Sequence, residues 1–510
     1  MKWQSALLAF GLLTAPMSAL AQEADKAEAA KEKPGEVPEP RMLEAERSMT
    51  INGETIDYTV MAGEMYLKGE DGEPAASIFS ISYIQADVED ARERPVTFVW
   101  NGGPGSSSVW LHMGAFGPLR VITPSDATDV GAPPYPVEEN ANALLDVTDL
   151  VFIDPVGTGY SKALGDTDPK DYWGLHEDAE SVADFIRLWI TKHKRWNSPK
   201  YIAGESYGGT RAAAITEKLQ GGWNGIALNG VILISPALDF ATLRFTRAND
   251  TAPVSYFPGW AATAWYHGKV DKDRWDGDFE RFVDETRSFA VDEYLPALMR
   301  GTSMSEREME TLARRMSGYI GLSTDYLMDV DLRVGPGFFK ELLREEDLSV
   351  GRFDSRYTGE DDFTEGEYPD NDPSGYGMDV AYTAALNDYF SRDLGLDYDE
   401  EYKILSGEPG RSWKWFDNEG SGSGFPNPTP MLAKGLRENK DLRVLVTSGY
   451  YDLATPFFSS ELSLFRNGVD PDRVTFTYYQ AGHMMYLNAD ESEALSEDIR
   501  DFITGDGEGN

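Results

Sequence analysis

A serine between two glycines, Gly204-Glu205-Ser206-Tyr207-Gly208, sits where an apolar strand-like run, Tyr201-Ile202-Ala203, meets an alanine-rich helix-like run from Thr210 to Leu219. A chain that turns from strand into helix within so few residues needs glycines at the bend. Such a bend lifts a serine Oγ clear of a sheet and turns backbone N–H groups toward whatever oxygen reacts there. The pattern predicts an α/β protein with a mostly parallel sheet and Ser206 presented at the carboxyl end of a strand.

A serine hydroxyl is a weak nucleophile near neutrality, so Ser206 requires a base and an acid further along the chain. Among five histidines, His483 follows the strand-like run Arg473–Tyr479 and precedes a final amphipathic helix. His176 and His193 belong to the periodic helix of Leu175, Ala179, Val182, Ile186 and Trp189, where a surface or core role fits better. His267 lies in a later irregular region, and His112 follows a Gly-Ser loop. For the acid, Asp452 stands just past the apolar strand Val444-Leu445-Val446 and upstream of His483. With 87 acidic residues in the chain a lone aspartate means little. The set Ser206, Asp452, His483, in that order and at those strand ends, is persuasive jointly.

A second signal is Trp100-Asn101-Gly102-Gly103-Pro104-Gly105-Ser106-Ser107-Ser108, directly after the strand Val96–Val99. Glycines there let backbone amides approach a ligand and form an anion-binding concavity. In a hydrolase that concavity is an oxyanion hole, built from the amide after the nucleophile, Tyr207, and one from the loop, Gly103.

Both motifs resemble those of the serine carboxypeptidases, an α/β-hydrolase family marked by Asn-Gly-Gly-Pro-Gly-Ser-Ser-Ser and Gly-Glu-Ser-Tyr-Gly-Gly. The similarity continues through Asp154-Pro155-Val156-Gly157-Thr158-Gly159-Tyr160-Ser161, Gly449-Tyr450-Tyr451-Asp452 with Pro456, and Gly482-His483. It implies a serine-type carboxypeptidase acting on peptides through an acyl-enzyme, with neither metal nor organic cofactor. Ser206 would be the nucleophile, Asp452 and His483 its partners, and Gly103 and Tyr207 the oxyanion amides. Asn101, Gly102 and Glu205 would bind the substrate's C-terminal carboxylate. A carboxyl group grips a carboxylate only by donating a proton, so Glu205 has to be neutral when it binds.

Several positions depart from the family pattern. Its second glutamate, which shares a proton with the first, corresponds to Ala115, two residues before Gly117-Pro118. Glu205 thus lacks its usual partner, which leaves open the strength of C-terminal recognition and the family's acidic pH preference. Asp154-Pro155 lacks an intervening glutamine, Met484-Met485 stands where Val-Pro is common, and Trp100 is one residue later than usual. Such changes suggest a divergent, bacterial branch.

The rest of the chain frames this domain. Lys2, an apolar run from Ala6 to Leu13 and Ala19-Leu20-Ala21 read as a secretory signal over residues 1–21, too short to span a bilayer. Residues 22–47, rich in Ala, Glu, Lys and Pro, read as a disordered tether. Residues 48–239 and 380–510 read as two parts of one core, opened by antiparallel strands around the Asn52-Gly53 turn. Residues 240–379, where strand signals fade, read as a helical cap set over Ser206. There is no cysteine, so thiol nucleophiles and thiolate metal sites are excluded; export, read from the signal, permits disulfides without requiring them, and a bacterial periplasmic or secreted setting fits a core stable without them. A formal charge of −41 disfavours nucleic acid and anionic membranes as partners. No stable membrane insertion is expected once the signal is cleaved, and the oligomeric state stays open. The acid-rich run Glu360–Glu367 lacks the alternating ligand spacing of a calcium loop and reads as solvated. Two other functions remain open: an acyltransferase or esterase on the same scaffold, and a catalytically silent binding protein.

Overall fold

Val96–Val99, Leu150–Ile153, Tyr201–Ala203 and Val231–Ile234 are too continuously apolar to leave a face in water. In the computed structural model each is buried along its length, inside a ten-stranded sheet. The structure describes residues 37–221, 224–360, 366, 369, 371–375, 378–416 and 424–505. The signal-like segment 1–21 and most of the acid-rich run 360–367 lie outside the described residues.

Three antiparallel strands open the sheet: β1 (Met42–Ile51), β2 (Glu54–Lys68) and β3 (Pro74–Gln85). Then follow β4 (Val96–Trp100), β5 (Asp149–Ile153), β6 (Lys200–Glu205), β7 (Gly230–Ile234), β8 (Arg443–Gly449) and β9 (Val474–Tyr479). Their spatial order is β1-β2-β3-β5-β4-β6-β7-β8-β9, parallel from β5 onward. This is the α/β-hydrolase architecture expected from the sequence. The Asn52-Gly53 turn joins β1 to β2 as anticipated, with both residues at positive φ.

One boundary differs. The strand β1 begins at Met42, inside the segment 22–47 read as a tether, and pairs with β2 from Met42↔Gly63 to Ile51↔Glu54. Its first residues alternate between exposed and half-buried, so composition disguises an edge strand held by its backbone ladder and by the modest packing of Leu43 and Ala45 on the core.

Alternation along the strands divides the core in two. Ile202, Val231 and Leu233 face a layer formed by helix α1 (Leu175–Lys192) and helix α2 (Tyr207–Gln220), joined by Leu432 and Leu436. Tyr201, Ala203, Ile232 and Ile234 face the opposite layer, which includes Leu495 and Ile499 of the C-terminal helix and the wide helical turn Leu111–Phe116. A third cluster gathers helices between β7 and β8, including Thr251–Tyr266, Phe279–Phe289 and Glu306–Ile320. It closes on Tyr450, Leu453 and Phe457, just beyond β8. Of these helices the first contributes Tyr256 to the wall of a cavity that Ser206 also lines.

Candidate active site

The register of two parallel strands assembles the first part of the site. Trp100 on β4 pairs with Gly204 on β6, so the next residues, Asn101 and Glu205, emerge side by side. Asn101 Nδ2 donates to Glu205 Oε1 at 3.0 Å. The Asn101 side chain is held from its other end by the Leu111 amide, which donates to Oδ1 at 3.1 Å, and the Asn101 backbone carbonyl accepts from Arg211 Nη1 at 2.8 Å. Arg211 is fully buried and paired with Asp178 at 2.7 Å.

Ser206 stands at the bend with φ +62° and ψ −125°, a conformation that costs a non-glycine residue about 1–3 kcal/mol and persists only when its surroundings enforce it. Here they do. The Ser206 amide donates to Ile234 O at 3.0 Å, and its carbonyl accepts from the Gly209 and Ala237 amides. Trp100 Nε1 donates to Gly208 O at 2.9 Å, which accounts for a tryptophan immediately before Asn101. The same contact dictates a glycine at 204, where an added Cβ would collide with Gly208 O and sit 2.7 Å from Trp100 Nε1. Gly102 is equally constrained: a Cβ there would meet the Tyr207 amide nitrogen at 2.5 Å. The expected carboxylate-binding Gly102 therefore lets the serine loop lie against the elbow.

Asp452 and His483 come together across the ends of β8 and β9. His483 Nδ1 lies 2.7 Å from Asp452 Oδ2, and Asp452 Oδ1 accepts from the Ala454 and Thr455 amides at 2.7 and 2.9 Å. Burial alone would lower the His483 pKa, but the charge and hydrogen bond of Asp452, with Glu205 behind them, outweigh it and raise it above its ordinary value. The side chains of Asp452 and His483 are almost wholly enclosed. Ser235, also at positive φ, connects this pair to the elbow: its Oγ donates to His483 O at 2.8 Å, and it follows Ile234, the acceptor of the Ser206 amide.

Thr455 escaped the sequence reading. Its Oγ1 lies 2.8 Å from Asp452 Oδ2, 2.8 Å from Ser235 O and 3.0 Å from His483 Nδ1. Its single proton serves one acceptor at a time, so Thr455 bridges the acid, the base and the β7 end. The spacing Asp452-x-x-Thr455 was its only trace in the sequence. Arg211 and Tyr486 were missed as well. Tyr486 Oη donates to Glu205 Oε2 at 2.7 Å, so both oxygens of this buried carboxyl have a partner although Ala115 offers none. Desolvation pushes Glu205 up to about 7, against the lowering influence of His483, Tyr486 and Asn101 and with Asp452 adding to the rise.

Ser206, Tyr207, Gly103 and Thr455 share the wall of a cavity of about 640 Å³. The Tyr207 amide opens α2, where no intrahelical acceptor exists. The Gly103 amide, in a residue at φ +104°, donates to no described backbone carbonyl. Asp154 fastens the serine loop instead of joining the site, since its Oδ1 accepts from the Ser108 amide at 2.9 Å and its Oδ2 from Tyr402 Oη at 2.7 Å.

The other histidines stay apart. His112 is buried against Tyr83 Oη at 2.7 Å and pushed down to about 3 by burial. His193 stacks on Trp189, and His267 Nε2 contacts Ser355 O at 2.7 Å. Among the described residues no group of three or more His, Asp or Glu side chains is arranged to hold a metal ion, and no helix is long and apolar enough to cross a membrane.

Comparison with known proteins bears out the resemblance. The serine carboxypeptidase family model matches residues 73–320. Serine carboxypeptidase-like 29 of Arabidopsis thaliana is 32% identical over 134 residues, 26% of each chain. The pheromone-processing carboxypeptidase KEX1 of Yarrowia lipolytica is 34% identical over 131 residues, 25% of this chain and 19% of that one. These matches thus span about a quarter or less of the relatives' own length. Among solved structures, the prohormone-processing carboxypeptidase of Saccharomyces cerevisiae superposes with a TM-score of 0.55 at 17% identity, covering 88% of this chain and 92% of the other. That likeness establishes the shared fold.

Proposed function

We propose that this chain, whose residues 73–320 match the serine carboxypeptidase family, releases amino acids one at a time from the carboxyl ends of peptides through an acyl-enzyme. In this reading Ser206 Oγ attacks the scissile carbonyl while His483 takes its proton. The Gly103 and Tyr207 amides donate to the developing oxyanion, and Asp452 orients the imidazole and stabilises its charged form. As the C–N bond breaks, His483 gives the proton to the departing amine. Water then attacks the ester, its proton passing through His483 back to Ser206 Oγ.

The observation that carries a carboxypeptidase rather than a general hydrolase is the buried Asn101–Glu205 pair beside the elbow. With a pKa of about 7, Glu205 is neutral in mildly acidic solution and able to donate to a carboxylate, a charge-assisted bond of the strong kind. The raised His483 pKa sets the opposite limit, because the base must be neutral to accept the Ser206 proton. The signal-like segment 1–21 supports an exported protein.

The test combines labelling and product analysis. A fluorophosphonate should add to Ser206 in the wild type and not to Ser206→Ala, and mass spectrometry of a digested peptide should show a ladder shortened singly from the carboxyl end. Internal cleavage, or labelling without any shortening, would refute the reading.

A further inference from the structure

Arginines around the helical segment are mostly neutralised: Arg333 pairs with Asp250, Arg356 with Asp354 and Arg287 with Glu461. Two are not. Arg244 and Arg352, both solvent-exposed, line the same cavity as Ser206. Among the described residues neither guanidinium makes a hydrogen bond or an ion pair. Each rests beside an aromatic ring, Arg244 Cζ 5.8 Å from the centre of Phe240 and Arg352 Cζ 4.9 Å from that of Phe353. Among the described residues nothing competes with a ligand for their donors.

Both cations act on one spot. Each lowers the pKa of Tyr256, a third cavity residue, against the larger effect of its burial, while Asp452 raises it. Asp372 is the acidic residue among the described cavity walls, and its Oδ1 is already engaged by the Arg352 and Ser374 amides and Ser374 Oγ. In a chain of net charge −41, whose general field repels anions, two unpaired arginines facing one cavity create a local positive potential.

We infer that Arg244 and Arg352 select an acidic side chain on the acyl side of the scissile bond, so that the favoured substrates are peptides with Glu or Asp at the penultimate position. The placement follows from the site. Asn101 and Glu205 are not among the walls of this cavity, so a leaving residue held by its carboxylate at that pair leaves the cavity to the acyl portion. The inference rests on the carboxypeptidase reading for the peptide but not for the acyl preference itself.

The experiment therefore uses two series. N-blocked Glu, Ala and Lys p-nitrophenyl esters read the acyl side with no C-terminal carboxylate required. N-blocked Glu-Phe, Ala-Phe and Lys-Phe read it in a carboxypeptidase substrate. In both, kcat/KM should fall in the order Glu, Ala, Lys. Arg244→Gln and Arg352→Gln should each lower the Glu-to-Ala ratio by about five-fold, as expected for partly exposed charge pairs. The ratio should also shrink in 0.5 M salt. Charge reversal by Arg352→Glu should turn the preference toward Lys. Preference among the esters with no peptide cleavage would overturn the carboxypeptidase reading and keep this one. Equal rates for Glu and Ala in both series, or a ratio unmoved by the substitutions, would overturn this one.

Discussion

Removing one hydroxyl, in Tyr486→Phe, should shift the alkaline limb of carboxypeptidase activity upward. Tyr486 Oη donates to Glu205 Oε2 at 2.7 Å, both groups are buried, and this bond favours the charged carboxylate. A hydrogen bond to a charged group contributes about 1.5–3 kcal/mol, and one to a neutral group about 0.5–1.5 kcal/mol. The difference, about 1–1.5 kcal/mol, corresponds to roughly one pKa unit. The sign follows directly. In the proposed function substrate binding needs neutral Glu205; losing a donor destabilises the carboxylate and raises the pKa, so the neutral form persists to higher pH. Other groups acting on Glu205 are His483, Asn101 and Asp452, with Tyr382 nearby, and none is altered. Starting from about 7, the limb of kcat/KM for an N-blocked dipeptide should move to about 8. KM at pH 5 should rise several-fold because the carboxyl has lost one of its two anchors. The assay is a pH series from 4 to 9 on both proteins, with the dipeptide amide as control. A limb that stays in place or moves down would refute the assignment of Glu205 as a neutral donor tuned by Tyr486.

Other substitutions test separate parts of the account. Thr455→Val, which removes the hydroxyl bridging Asp452, His483 and Ser235, should lower kcat about ten-fold with little change in KM. It should also cost about 1–2 kcal/mol of stability by denaturant unfolding. In Gly102→Ala the new Cβ would lie 2.5 Å from the Tyr207 nitrogen, so fluorophosphonate labelling of Ser206 should fall more than about 100-fold; near-normal labelling would show that the loop yields. Arg211→Met leaves Asp178 buried and unpaired and should destabilise the fold by about 3–5 kcal/mol, with Arg211→Met/Asp178→Leu recovering much of it. Thermal unfolding of the three proteins decides this.

The strands and the bend were legible because their signals are local. Continuous apolar runs bounded by polar residues mark strands buried on both faces, and two glycines flanking a serine mark a turn into a helix. Asp452 and His483 were legible through order along the chain and position at strand ends. Tyr486 was not, because its contact with Glu205 spans 281 residues and depends on how the turn after His483 packs. Nor does any local pattern announce Arg211, whose buried charge serves Asp178 on α1 and the Asn101 carbonyl on the serine loop. The early strand from Met42 was hidden for the opposite reason: its first residues resemble a polar linker, and the ladder to β2, with Leu43 and Ala45 half-buried against the core, holds them extended.

Recognition of a free carboxyl terminus is the central claim, and the most direct measurement is the ratio of kcat/KM for an N-blocked dipeptide to that for its C-terminal amide at pH 6, with Ser206→Ala as background. The charge-assisted bonds from Asn101 and neutral Glu205 predict that the acid is preferred by about 100-fold and that the preference fades above neutrality. Equal rates for acid and amide, or a preference that persists unchanged to pH 9, would contradict the account.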